Sequence, residues 1–120
     1  MRLFMLPIII ATLFAVDQPV EPSEHAMRAA FETRLSADVQ NALAFVAETS
    51  GEAGVERVRA AGTDQFAIHA FKKHDCVRNE TTYVCDFAVE LAVVTGTIQK
   101  TLKGRFLAGP GGQLTFGYAS

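Results

Sequence analysis

The sequence has no tryptophan, only two cysteines in 120 residues, and almost no surplus of charge, with 11 Lys+Arg against 13 Asp+Glu. Each shortage excludes something. Two cysteines cannot supply a four-thiolate zinc site. A formal net charge of −2 lacks the basic excess that general nucleic-acid binding needs. Nine glycines and four prolines are too few for a collagen-like or low-complexity chain. The uncharged run Leu3–Val16 is interrupted by Pro7 and falls short of the roughly 20 apolar residues of a membrane span. Sequence signatures of P-loops, dinucleotide folds, nucleophile elbows and zinc proteases are missing, so no cofactor is implied. What is present is a chain that is 49 % hydrophobic and 20 % charged, the composition of one ordered domain.

Residues 1–15 read as a signal peptide. Arg2 supplies the positive start, the following run the apolar centre, and Ala15 a small residue at the cut, although Leu13 is large for position −3. An interfacial anchor and a buried N-terminal element are the competing readings. Export places the protein in a secreted or periplasmic location. Residues 16–22, with two prolines and two acids, form an extended linker, and 23–120 form a single domain.

Periodicity divides that domain into two layers. Ser23 is an N-cap with Glu24 in the first turn. Met27, Phe31, Leu35, Val39, Leu43 and Val46 then recur at helical spacing. Ser36 allows a kink at residues 35–37. Gly51 ends the helix, Thr49 and Glu52 resemble a capping box, and a short second helix runs on to Gly62. Beyond Asp64 the period drops to 2. Four apolar–polar alternating runs, at 66–71, 85–93, 98–106 and 114–118, predict a meander of three or four antiparallel strands. The fold class is α+β. The helical layer is acidic and the sheet layer more basic, with Lys72, Lys73, Arg78, Lys100, Lys103 and Arg105 in the latter.

A two-residue turn at Glu80-Thr81 sets Cys76 opposite Cys85, Lys72 opposite Val89, Ala70 opposite Leu91 and Ile68 opposite Val93. Cys76 and Cys85 then face each other at a non-hydrogen-bonded pair, which suits a disulfide. In an oxidising compartment that reading outweighs a reactive thiol built from His74, Asp75 and Cys76. A turn at Thr95-Gly96 pairs Val93 with Ile98, Val89 with Leu102, Phe87 with Gly104 and Asp86 with Arg105. On the polar face, Asp75 opposes Asp86 within a solvated charge network. His25, His69 and His74 are too scattered for a metal site.

The polar face carries the binding candidates His69, Lys73, Lys103 and Arg105, beside Phe71, Asp86, Glu90 and Gln99. It suits a small anionic ligand or a protein partner. Val94, Thr95, Gly96 and Thr97 form a candidate exposed hairpin. Ala92-Val93-Val94-Thr95-Gly96 resembles part of the Q-V-V-A-G hairpin of the cystatins, without its leading Gln. The helix-then-meander order is similar to the cystatin-like α+β group, and the general look is similar to small uncharacterised exported bacterial proteins. The resemblance implies a sheet curled around a helix and, more remotely, a protease inhibitor. The function expected is an exported, non-enzymatic binding or interaction module. An inhibitor and a small-ligand enzyme with a pocket between helix and sheet are the alternatives.

Overall fold

The computed structural model of the chain describes residues 20–119. The expected signal peptide, residues 1–15, lies outside the described residues, as do 16–19 of the expected linker. One helix, α1 (Glu24–Ala61), precedes four strands: β1 (Phe66–Asn79), β2 (Thr82–Val93), β3 (Gly96–Ala108) and β4 (Leu114–Tyr118). The strands form one antiparallel sheet in the order β1-β2-β3-β4, with α1 packed against β1 and β4.

The helix begins as its residues dictate. Ser23 Oγ accepts the Ala26 N–H at 3.1 Å, which satisfies one of the donors that a helix start leaves free. The backbone then stays helical through residues 35–37, so the kink that Ser36 allows does not form. Nor is there a separate second helix, because the single element continues to Ala61. Gly51 alone leaves helical dihedrals inside it, at φ 69° and ψ −170°. Gly54 lies against Val46, eight residues earlier. A straight helix would hold that pair about 12 Å apart along its axis, so the chain folds back at Gly51. Leu43 and Val55 are buried near this corner. Thr49 makes no capping box; its hydroxyl donates to the Phe45 carbonyl at 3.0 Å, a bond available within its own helix. Gly62, at φ 74°, ends the helix, donating to the Arg59 carbonyl.

Between the N-terminal half of α1 and the sheet lies a core of five phenylalanines, Phe31, Phe71, Phe87, Phe106 and Phe116, with Met27, Ile68, Cys85 and Val89. Phe71 stacks on Phe87 at 4.8 Å between centroids, while Phe31 meets Phe116 edge-on at 5.3 Å. Such pairs add about 0.5–1.5 kcal/mol each beyond area burial. No polar or charged residue is buried as a whole among the described residues, although Asp64 Oδ1 is buried without a hydrogen-bond partner.

Register explains how the strands deliver those rings. The Glu80-Thr81 turn forms as expected, with Asn79 opposite Thr82 and Cys76 opposite Cys85. Two irregularities then move β1 relative to the simple register. One places His74 and Asp75 together across from Asp86, and the other inserts His69. Consequently Lys72 faces Ala88, Ala70 faces Glu90 and Ile68 faces Leu91, not Val89, Leu91 and Val93. Each bulge also reverses which side chains point inward. Phe71 is therefore buried in the core rather than displayed on the polar face.

The β2–β3 pair keeps one register throughout, two residues from the expected one. Its turn is Val94-Thr95, and Val93 pairs with Gly96, whose φ of 136° is open to glycine. Phe87 faces Leu102, Cys85 faces Gly104, Val89 faces Lys100, Leu91 faces Ile98, and Asp86 faces Lys103 instead of Arg105. A shift of two preserves the faces, so inward and outward residues on these strands fall as their alternation indicates.

Candidate functional site

Cys76 and Cys85 form a disulfide, with their Cα atoms 4.0 Å apart. That short spacing belongs to a non-hydrogen-bonded antiparallel pair. The bond ties the β1–β2 hairpin near its turn and removes any free thiol from His74 and Asp75, both of which are exposed.

The outer sheet face gathers three of the four expected binding residues. β2 turns Val84, Asp86, Ala88 and Glu90 outward, and their β3 partners Arg105, Lys103, Thr101 and Gln99 lie on the same face. His69, in its bulge, brings Nδ1 to 4.0 Å from Glu90 Oε2. Gln99 Nε2 donates to Glu90 Oε1 at 2.8 Å. Ala70, Ala88 and Thr101 leave a shallow depression here, rimmed by Lys72, Glu90 and Gln99. Lys103 faces Asp86, whereas Arg105 faces the uncharged Val84.

Lys73 does not join them. The bulges place it on the helix side opposite Phe87, where its ammonium donates to Glu21 Oε2 and the Pro22 carbonyl. Its own N–H donates to Glu24 Oε1 at 2.8 Å. Lys73 thus fastens the entering chain to β1. The expected linker is held to the sheet at Glu21 and Pro22, and Pro22 is buried.

The hairpin tip stands at the other end of β2. Val94, Thr95, Gly96 and Thr97 are all exposed, with Val94 at 56 % and the nearby Ile98 at 40 %. Gly62 lies beside Val94, so the end of α1 braces the turn.

One further polar cluster joins α1 to β4. Arg34 bonds Asp38 at 3.0 Å, donates to the Phe116 carbonyl and places its guanidinium 5.2 Å from the centre of the Tyr118 ring. Burial, then the nearby Asp38 charge, push the Tyr118 phenol above its ordinary pKa, while Arg34 opposes them. The i,i+4 spacing of Arg34 and Asp38 was the available signal; their meeting with β4 was not.

Among the described residues no group of three metal-ligating side chains could hold an ion, and no helix is long and apolar enough to cross a membrane. No family model matches the chain, and neither the curated proteins nor the solved structures contain a match to it.

Proposed function

We propose that this protein is an exported, non-enzymatic binding module that captures a protein partner at the β2–β3 hairpin end. The observation that carries the reading is an exposed apolar tip, Val94 with Ile98, beside an interior already filled by phenylalanine rings. The filled interior leaves the enzyme alternative an open cleft between α1 and β4, lined mainly by alanines of α1 with Thr33, Arg34, Gln113 and Thr115. The Cys76–Cys85 disulfide supports an oxidising compartment, consistent with the apolar N-terminal run.

Capture of envelope or secreted proteins by the wild type and by Val94→Asp, identified by mass spectrometry, tests this reading. A partner retained by wild type and by Phe45→Ser, but lost with Val94→Asp, is the expected result. Equal capture by all three proteins would refute it. Phe45 is the suitable control because it is 64 % exposed and lies on α1.

A second reading, a cystatin-type inhibitor, draws on the resemblance at Ala92–Gly96 and on the exposure of Val94. Inhibition of papain at micromolar protein tests it. An anionic ligand on the outer face has weaker support, because Lys73 lies on the opposite side from Lys103 and Arg105.

A further inference from the structure

A sheet edge is a row of unpaired backbone donors and acceptors, and folded proteins block such rows or use them. This sheet blocks its two outer borders with helix side chains. Along β1, Arg28 Nη2 donates to the Ile68 carbonyl at 2.6 Å and Glu24 takes the Lys73 N–H, at a strand already bent by two bulges. Along β4, Arg34 Nη1 donates to the Phe116 carbonyl.

One stretch is treated differently. β4 is short and pairs only with Gly104–Ala108, which leaves the first half of β3 without a neighbour on that side. Ala119 N–H reaches the Lys103 carbonyl at 3.0 Å, so Lys103 directs its peptide groups toward β4. Alternate residues of a strand point the same way, and therefore Thr97, Gln99 and Thr101 aim their N–H and C=O groups at the open side. This stretch has no bulge, because β2–β3 holds one register from Thr82↔Leu107 to Val93↔Gly96. Every residue from Gly96 to Thr101 is exposed. No proline interrupts it, and no side chain among the described residues covers it.

We infer that the open edge of β3 between Thr97 and Thr101 accepts an extended peptide segment as a fifth strand. This rests on the binding-module reading and specifies the class of partner. The side chains on the helix side of the edge run Ile98, Lys100, Leu102. Lys100 has no ion-pair partner among the described residues. A complementary strand places an apolar residue opposite Leu102, a carboxylate opposite Lys100 and an apolar residue opposite Ile98. The segment sought is therefore apolar–x–acidic–x–apolar in an extended conformation. The same lysine disfavours the second copy of this chain whose pairing would centre on residue 100, since Lys100 would then face Lys100.

The test uses the untagged, oxidised full chain and a peptide that begins with valine–threonine–glutamate–threonine–valine and carries its extra residues and fluorescein at the carboxy-terminal end, away from Lys103, in antiparallel pairing. The expected result is saturable binding with slowed hydrogen exchange at Thr97, Gln99 and Thr101. Replacing the peptide's glutamate by lysine weakens binding about tenfold. Lys100→Glu in the protein reverses that preference. N-methylation of the peptide amides that face β3 abolishes binding. Absence of binding, equal binding of both peptides, or protection of the same amides by self-association alone would overturn the inference. If the peptide fails while Val94→Asp still loses its captured partner, the binding-module reading stands and only the edge assignment falls.

Discussion

Phe116 lies over the bare backbone of Gly104, diagonally across the β3–β4 pair. A Cβ at position 104 would come within 2.9 Å of Phe116 Cδ1 and 3.1 Å of Phe87 Cε1. Two of the five core rings therefore occupy the space that any other residue at 104 would need. Gly104 is itself buried. Its lack of a side chain is a packing requirement, because its backbone φ is not in the left-handed range.

Gly104→Ala is expected to overpack the core and to cost about 3 kcal/mol, the upper part of the usual range for an added methyl group in a filled interior. Gly117→Ala is the control, since a Cβ there meets nothing within 4 Å. It should change stability by no more than about 0.5 kcal/mol. Urea unfolding followed by circular dichroism measures both.

Replacing Cys76 and Cys85 together by alanine should lower stability by about 2–3 kcal/mol, the chain-entropy value for a loop of this size. The sequence separation is 9, so the closed loop is short. Intact mass without reduction should show no alkylated thiol, and two alkylated thiols after reduction.

The disulfide was legible because a two-residue turn fixes the register of the pairs nearest to it. Asn79↔Thr82 and Cys76↔Cys85 both follow from the Glu80-Thr81 turn. Legibility stopped at His74-Asp75, where a bulge adds a residue without any mark in residue type. From that point Lys73 and Phe71 change faces, and with them one quarter of the expected binding set. On β2 and β3 the faces were legible and the partners were not. A slip of two residues leaves alternation intact, so periodicity alone cannot detect it. The helix corner was legible in part, since Gly51 marked where the backbone turns but not that the chain continues as one helical element. Arg28, Glu24 and Arg34 bonding to strand backbones 40 to 82 residues away had no local signature at all.

Gly51 offers a test of backbone strain separate from packing. Its φ of 69° and ψ of −170° lie in a region essentially confined to glycine, and a Cβ there would touch nothing within 4 Å. Gly51→Ala should cost about 1–3 kcal/mol through the backbone alone. Semisynthetic D-alanine at 51, for which these angles are ordinary, should retain or slightly raise stability. Thermal unfolding of the two proteins distinguishes them.

Tyr118 should ionise above the ordinary phenol value of 10.0, chiefly because burial disfavours the phenolate, with the Asp38 carboxylate adding to it. The absorbance step at 295 nm that disappears in Tyr118→Phe is the one to follow. Asp38→Asn should move that step down and Arg34→Gln should move it up. The folded protein holds this proton more tightly than the unfolded chain. Its contribution to stability is thus complete below pH 10 and declines as pH rises through the folded value.

The direction in which β4 leaves the sheet bears on how the protein should be handled. Ala119 already reaches Lys103 on β3. In the register that pairs Gly104 with Tyr118, any strand continued directly from Ala119 would run beside Thr101, Gln99 and Thr97. A carboxy-terminal affinity tag would therefore be delivered onto the open strand at very high local concentration and compete with any partner there. Pro22, which precedes α1, is held by Lys73 on β1 at the opposite border. Tag position alone could decide whether a binding screen with this protein succeeds.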